Sequence, residues 1–287
     1  MTTEQAAAGA IPVPSGVVRA ETPPHLQYLQ EITALTRRWY IELTRERLNL
    51  LFSVMQPAIW LIFFGAGVGR TVDEGVIGTG DYIAFMLPGI IAFTVVGNGV
   101  AGAMPLMWDK EQGYLDKLMS MPIARSSIIV SRFVFMAALG SVQSLLVVIV
   151  ALIMGVDLAA GAAGVAVMLA AAALLALAVT AVYCALAYWV PGHGTFFAIT
   201  GFITLPLLFM SNAFVPLDAM PAWMEAVALA NPLTYAITAM RTLVLDGWEV
   251  DLLLPFAVLA AVSVACLAIG TYQFGRTTAE RISETGQ

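Results

Sequence analysis

Six apolar segments constrain the fold of this chain more than any other feature of its sequence. They cover residues 50–68, 82–106, 126–154, 163–190, 196–215 and 252–272. Each is close to the roughly 20 residues that a helix needs to cross about 30 Å of hydrocarbon. Their apolar character is continuous, whereas a membrane β-barrel requires alternating apolar and polar residues. The sequence therefore predicts an all-α integral membrane protein with six transmembrane helices.

The composition agrees with a membrane protein. Hydrophobic residues make up 60% of the chain and charged residues only 11%, against about 45–50% and about 25% in soluble domains. Cys184 and Cys266 lie in apolar segments, which predicts simple packing and no metal or disulfide site. Residues 1–24 are rich in Ala, Pro, Thr and Gly and lack the features of a signal peptide. We expect them to form a flexible cytosolic tail.

The distribution of Lys and Arg predicts the orientation. With the N-terminus in the cytosol, only Arg70 and Arg241 of the 13 basic residues fall on the outer side. Such a bias is typical of the positive-inside rule. We therefore expect a multi-pass protein of the cell membrane, with a domain of six spans over residues 50–273. Both termini, including a C-terminal tail at 274–287, would lie in the cytosol.

Residues 25–49 have the pattern of a basic amphipathic helix. Apolar residues recur every three or four positions, and arginines stand among them: Leu26, Leu29, Ile32, Leu35, Trp39, Leu43, Arg37, Arg38, Arg45 and Arg47. This pattern favours a helix lying in the membrane interface beside anionic lipid. An ordinary soluble helix is the alternative, but the segment directly adjoins a predicted span.

The segment between the fifth and sixth spans is too polar to cross the membrane. Pro216, Pro221 and Pro232 divide residues 216–248 into short pieces, and each piece has an apolar face. We expect a short re-entrant outer helical hairpin. Irregular backbone at that depth must be shielded by protein or reached by water.

Residues 108–122 form the one strongly charged run between two long apolar segments. The run carries five charges, and each would cost about 2.5–3.5 kcal/mol at the centre of a bilayer. It must therefore lie in water, on the cytosolic face. Leu115, Leu118 and Met119 recur at helical spacing, and Pro122 follows them. We predict a short amphipathic helix whose polar side can meet another protein, although each charge taken singly is explained by solvation.

Several kinds of chemistry are missing from the sequence. It has no Gly-rich phosphate loop, no HExxH and no GxSxG motif. Arg132 is the single charged residue within the predicted spans, which argues against a proton- or sodium-coupled carrier and against a charged-ring channel. His193 lies in a short cytosolic turn at 191–194, where solvation is its simplest explanation. These features favour a membrane subunit that receives energy from a separate ATPase.

Several motifs resemble those of the ABC-2 type transporter permeases. Residues 111–118, followed by Met121-Pro122-Ile123 and Arg125, are similar to the family's Glu-x-Gly-Thr-Leu-Glu-x-Leu…Ser-Pro segment. Residues 87–89, 212–223 and 231–235 with Arg241 also match, and the order of features agrees from residue 30 onward. Tyr114 and Asp116 stand where the family has Thr and Glu. Within the family, the chain looks closest to the daunorubicin-resistance-like ABC exporter permeases of actinobacteria.

The resemblance implies a complex with other chains. The permease would pair with a second copy or a related permease and with two cytosolic ABC ATPase subunits. Those subunits would bind ATP and Mg, while this chain would bind no cofactor and no nucleic acid. Residues 25–49 would be the elbow helix and 108–122 the coupling helix. The implied ATPase interface comprises Asp109, Lys110, Glu111, Gly113, Tyr114, Leu115, Asp116, Lys117 and Leu118, with His193 as a minor second contact.

The sequence thus predicts a permease subunit that exports an amphipathic or apolar cargo such as a drug, antibiotic, lipid or glycan. Its substrate path would lie between two permeases. Candidate lining residues are Phe93, Asn98, Met104, Phe202, Phe209 and Asn212, although such residues more often face lipid or a neighbouring helix. A non-transporting membrane anchor or assembly factor is the alternative. An intramembrane enzyme is a third hypothesis, for which a polar catalytic cluster is missing.

Overall fold

The computed structural model describes residues 24–45, 47–67, 81–121 and 123–285. These described residues form helices, turns and loops and contain no β-strand. This confirms the all-α fold class. Two 3-10 turns, Leu217–Ala219 and Val250–Leu252, accompany the helices. The helices are α1 (Pro24–Arg45), α2 (Arg47–Gly67), α3 (Tyr82–Glu111), α4 (Tyr114–Met119), α5 (Arg125–Ile153), α6 (Gly161–Trp189), α7 (His193–Phe209), α8 (Ala222–Ala230), α9 (Pro232–Leu245) and α10 (Leu253–Thr285).

Four stretches of the described chain are long and apolar enough to cross a membrane. They are Tyr82–Glu111, Ser126–Ile153, Gly161–Trp189 and Val250–Tyr272. Their positions agree with the second, third, fourth and sixth segments predicted from hydropathy. The apolar part of α2, Leu51–Gly65, and the whole of α7 are shorter. Six crossings therefore remain a prediction, while four candidate spans are confirmed.

Helix α7 ends earlier than hydropathy predicts, at Phe209 and not near residue 215. The chain turns there because the exposed carbonyl groups at the helix end find another partner. Asn231 donates its Nδ2 to the carbonyl oxygens of Leu207 at 2.6 Å and Met210 at 3.3 Å. The same side chain caps α9, since its Oδ1 accepts from Leu233 N at 3.0 Å. One asparagine thus ends α7 and begins α9.

Helices α3 and α6 form the centre of the molecule, and small residues let them approach closely. A Cβ added to Gly99 would lie 2.5 Å from a methyl group of Val179. On α6, Ala172, Ala176 and Ala187 are buried. Without a hydrophobic force between helices in lipid, such close packing supplies the dispersion energy that holds spans together.

The predicted outer hairpin contains two short helices, α8 and α9, and α9 is fixed to α3. Arg241 donates from Nε and Nη2 to the carbonyl oxygen of Phe85 at 3.3 and 3.2 Å. Its guanidinium also lies 3.9 Å from the centre of the Phe85 ring. Burial lowers the pKa of Arg241 to about 10, so this cation stays protonated at neutral pH. The depth of the hairpin in a bilayer remains a prediction.

Some predicted features fall outside the described residues. These include the tail before Pro24, the loop at 68–80 with Arg70, and Pro122. Helix α10 continues through Thr285, so the predicted boundary at residue 273 falls within a helix. Likewise α2 begins at Arg47, before the predicted domain boundary at residue 50.

Gly89 provides a test of the packing between α3 and the segment after α7. A Cβ at Gly89 would lie 2.8 Å from the backbone oxygen of Ala213, whereas a Cβ at Gly97 on the same helix meets nothing within 4 Å. We expect Gly89→Ala to destabilise the protein by about 1–3 kcal/mol. Gly97→Ala should leave stability unchanged or raise it by about 0.5–1 kcal/mol. Thermal unfolding of the full-length protein in detergent measures both, and equal midpoints for the two variants would contradict this packing.

Candidate functional site

The predicted coupling segment consists of two helical pieces joined by a turn. Helix α3 continues to Glu111, and α4 begins at Tyr114. Gly113 between them adopts the left-handed conformation, with φ of +70°, which glycine reaches without a steric penalty. The single short helix predicted over 108–122 is therefore the end of a span followed by a separate six-residue helix. The turn at Gly113 thus separates α4 from the end of α3.

The apolar side of α4 faces the protein, as its helical spacing predicts. Leu115 is 1% exposed and Leu118 is 4% exposed, and both belong to the main hydrophobic core. These two leucines hold the short helix against the body. A six-residue helix is not stable alone, so its position depends on this burial.

Helix α1 binds the end of α3 through an ion pair. Arg38 Nη2 donates to Asp109 Oδ1 at 3.1 Å and to Oδ2 at 3.3 Å. The guanidinium lies 4.5 Å from the ring centres of both Trp39 and Tyr114, a cation–π arrangement. The Asp109 side chain is only 14% exposed. Arg38 therefore links α1, α3 and α4.

Lys110 binds the opposite side, at the end of α6. Its Nζ donates to the carbonyl oxygens of Tyr188 at 2.7 Å and Val190 at 3.0 Å. A cation at a helix C-terminus satisfies free carbonyl groups and complements the helix dipole. Lys110 therefore fixes the end of α3 to the end of α6.

The turn at 191–194 lies directly against the end of α3. His193 Nδ1 and Glu111 Oε1 are 2.8 Å apart, and the His193 ring lies 6.1 Å from that of Trp108. The resemblance implied that His193 belongs to the same surface as the coupling segment, and the structure brings the two together. Through this contact α3 is also linked to the start of α7.

The contacts leave one exposed strip, which we call the coupling edge. Asp109 and Lys110 are occupied by intramolecular contacts, Tyr114 lies under Arg38, and the side chain of Asp116 is outside the described set. The coupling edge consists of the exposed residues Glu111, Gln112, Gly113, Lys117, Ser120 and Met121. This strip is the part of the segment that remains open to another protein.

Helix α1 contributes residues that the sequence did not assign to this site. Arg38 and Trp39 contact the coupling segment, and Glu31 Oε2 accepts from the backbone N of Ala124 at 3.0 Å, just before α5. Sequence analysis placed the arginines of α1 beside lipid. The spacing of residues in α1 could have indicated this contact, because Arg38 lies three residues after Leu35 and so on the apolar side of the helix.

Two of the candidate substrate-path residues line one aromatic cavity. Phe93 and Phe209 contribute to a cavity of about 340 Å³. The Phe209 and Phe214 rings stack with centres 5.4 Å apart, and the Trp60 and Phe93 rings are 6.4 Å apart. The full lining is Trp60, Phe64, Tyr82, Ile90, Phe93, Phe209 and Phe214. An apolar or planar molecule matches such walls.

The other four candidates lie elsewhere. Asn98 and Met104 line a second cavity, of about 240 Å³. Asn212 is buried and donates from Nδ2 to Thr238 Oγ1 at 2.8 Å. Phe202 is 80% exposed on α7. Within one chain the six residues therefore do not form a continuous path.

Known proteins are similar to this sequence over most of its length. The ABC-2 type transporter family model matches residues 30–245. A putative transport permease, ycf38 of Porphyra purpurea, is 34% identical over 229 residues, which cover 78% of each chain. The daunorubicin resistance ABC transporter permease protein DrrB1 of Streptomyces coeruleorubidus is 28% identical, over 72% of this chain and 73% of its own. Nodulation protein J of Rhizobium leguminosarum bv. viciae is 25% identical over 83% of this chain and 91% of its own.

The matched region contains the coupling edge and its contacts to α1, α6 and α7, as well as both hairpin helices. These relatives are membrane transport subunits and not enzymes themselves. The chain therefore belongs to the ABC-2 type transporter family and is a multi-pass membrane permease subunit of an ABC transporter.

Proposed function

We propose that this permease exports an amphipathic or apolar cargo across the cell membrane, driven by ATP hydrolysis in a separate ABC ATPase. The observation that carries the proposal is the construction of the coupling edge. It is exposed, yet its member Glu111 contacts α7 and the adjoining residues Asp109 and Lys110 bind α1 and α6. A surface built in this way can receive a force and distribute it to several helices.

The contacts suggest how motion would pass into the membrane. A displacement of the coupling edge would move α3 directly, α1 through Asp109 and α6 through Lys110. Closure of two ATPases upon ATP binding would then favour one of two arrangements of the spans. A nucleotide shifts such an equilibrium only by its differential affinity for the two arrangements. The permease contributes the transmitting contacts, and the ATPases hold ATP and Mg.

In the proposed assembly two permeases and two ATPases form one transporter. The second permease is either another copy or a related chain. Both termini and the coupling edge face the cytosol, and α2 and α7 complete the six crossings. The hairpin of α8 and α9 lies at the outer side, where Asn231 between the two helices binds the end of α7 and Arg241 within α9 binds α3. The positive-inside bias of the Lys and Arg residues supports this orientation.

The aromatic cavity supports an apolar part in the cargo. Its described lining carries no charged side chain, so a desolvated charge would find no partner there. Relatives named for daunorubicin resistance and for nodulation indicate that the family serves more than one cargo. We propose Phe93 and Phe209 as contacts for the apolar part.

Transport can be tested in inverted membrane vesicles that contain this permease and an ABC ATPase encoded beside it. We expect ATP-dependent accumulation of at least one fluorescent amphiphile, such as rhodamine 6G or Hoechst 33342. The control is the same complex with an ATPase that cannot hydrolyse ATP. An ATPase that copurifies without any ATP-dependent accumulation would favour the alternative of an anchor or assembly factor.

The coupling edge predicts a charge requirement for ATPase binding. Lys117 is exposed and its side chain forms no ion pair among the described residues. We expect Lys117→Glu to reduce ATPase copurification about fivefold, because a reversed charge at an interface repels its partner. Arg37→Glu makes the same change at an exposed position of α1 and should leave copurification unchanged. Equal recovery with both variants would contradict the assignment of this surface.

The turn at Gly113 predicts a separate effect on coupling. Gly113→Val places a β-branched residue at a φ of +70°, at a cost of roughly 1–2 kcal/mol. We expect this variant to retain the ATPase but to lose most ATP-dependent transport. Gly113→Asn is the matched control, since Asn tolerates the left-handed region. If Gly113→Val transports as well as Gly113→Asn, the geometry of this turn does not matter for coupling.

A further inference from the structure

A second cavity lies among α1, α2, α3 and α5, and its chemistry differs from that of the aromatic cavity. Its volume is about 240 Å³, far above the roughly 10–15 Å³ that a single water requires. Both charged and apolar side chains line it. The lining is Trp39, Glu42, Leu43, Ser53, Asn98, Ala101, Met104, Pro105, Trp108, Arg132, Phe135, Met136, Leu139 and Gln143.

Arg132 supplies a buried positive charge to this cavity. The residue is 5% exposed, and its guanidinium lies 4.0 Å from the centre of the Trp39 ring. Its Nε donates to the carbonyl oxygen of Gly102 at 2.6 Å. Among the described residues its two terminal nitrogens donate no hydrogen bond, and the residue forms part of the cavity wall. A buried guanidinium with free donors calls for an acceptor such as a phosphate.

Glu42 supplies a negative charge to the same cavity. It lies three residues after Trp39 on the inner side of α1 and forms no hydrogen bond or ion pair within the described chain. It is therefore not paired with Arg132. Among its neighbours, Arg38 binds Asp109. Glu42 also lines an adjacent surface groove together with Arg37, Arg38 and Arg45. The cavity thus holds a cation and an anion that attract each other across it without forming a direct ion pair.

The remaining walls suit a hydrocarbon chain at the membrane surface. Arg132 lies seven residues into α5, which is about 10 Å from the helix start at 1.5 Å per residue. That depth is close to the headgroup region of a bilayer. The polar amides of Asn98 and Gln143 bind each other, and Gln143 also donates to Ser53 Oγ. The apolar lining consists of Met104, Pro105, Phe135, Met136 and Leu139.

We propose that this cavity binds a zwitterionic bilayer lipid that carries a phosphate and a primary ammonium group. The phosphate accepts hydrogen bonds from Arg132, the ammonium binds Glu42, and an acyl chain follows the apolar wall. An anionic lipid satisfies Arg132 but leaves Glu42 without a cation and repels it. The site holds a lipid of the cytosolic leaflet against α1, whether or not the chain exports a cargo.

Native mass spectrometry of the full-length, delipidated protein tests the proposal. The probes are phosphatidylethanolamine, phosphatidylcholine and phosphatidylglycerol with identical acyl chains. We expect phosphatidylethanolamine to be retained about fivefold better than phosphatidylglycerol, since one charge pair distinguishes them. Phosphatidylcholine should lie between, because its ammonium has no N–H to donate. Soluble glycerophosphoethanolamine should bind much more weakly, and equal binding would overturn the role of the acyl chain.

Variants locate the lipid. Glu42→Gln should abolish the preference for phosphatidylethanolamine over phosphatidylglycerol, whereas Glu249→Gln, at an exposed acid remote in sequence, should preserve it. Arg132→Gln should weaken the binding of all three lipids. Because loss of a buried arginine can unfold a protein, Ala101→Phe provides a second test: it fills the cavity from an exposed wall position and removes no charge. Ala163→Phe, at an exposed position of α6, is its control.

Besides equal binding of the soluble headgroup, three results would overturn the proposal. The first is equal retention of phosphatidylethanolamine and phosphatidylglycerol by the unaltered protein. The second is an unchanged preference in Glu42→Gln. The third is undiminished lipid retention in folded Ala101→Phe, as judged by a thermal midpoint equal to that of Ala163→Phe.

Discussion

The free-energy cost of leaving a charge unpaired beside hydrocarbon constrains the end of α3 in this permease. A charged side chain removed from water must be paired or hydrogen-bonded, or it destabilises the fold. At the end of α3, Asp109 is paired with Arg38, Lys110 with the carbonyl groups that end α6, and Glu111 with His193. Three consecutive charges thus bind three different helices. The pairing that offsets the cost of these charges also fixes the segment to the body of the protein.

The same constraint acts on backbone groups at the other end of the spans. Where α7 stops, free carbonyl groups need donors, and Asn231 supplies them. Arg241 donates to the carbonyl of Phe85 and so fixes α9 to α3. Non-helical backbone near a bilayer is tolerated when protein groups satisfy it. Polar contacts from Asn231 between the hairpin helices and from Arg241 within α9 therefore hold the hairpin. The apolar residues of α9, such as Leu233 and Met240, pack in the core.

Arg132 and Glu42 differ from the charges at the end of α3, because neither has a direct ion-pair partner among the described residues. The charges at the end of α3 have direct partners, but Arg132 and Glu42 share a cavity without forming a direct ion pair. Ionisable groups at membrane depth that are not satisfied by protein point to a ligand. In the coupling segment the chain itself supplies a partner for each charge. For Arg132 and Glu42, the proposed lipid would supply these partners from the bilayer.

The sequence by itself determined the family, the all-α class and the positions of α3, α5 and α6, because hydropathy and helical spacing are local properties. It also identified Leu115 and Leu118 as the buried side of α4. It could not determine that Gly113 splits the segment, that α7 ends at Phe209, or that Asp109 and Lys110 are engaged internally. Those features depend on contacts between residues far apart in the chain, such as Arg38 and Asp109 at a separation of 71 positions. Only the tertiary structure brings such residues together, and it alone decides which charges stay free for a partner.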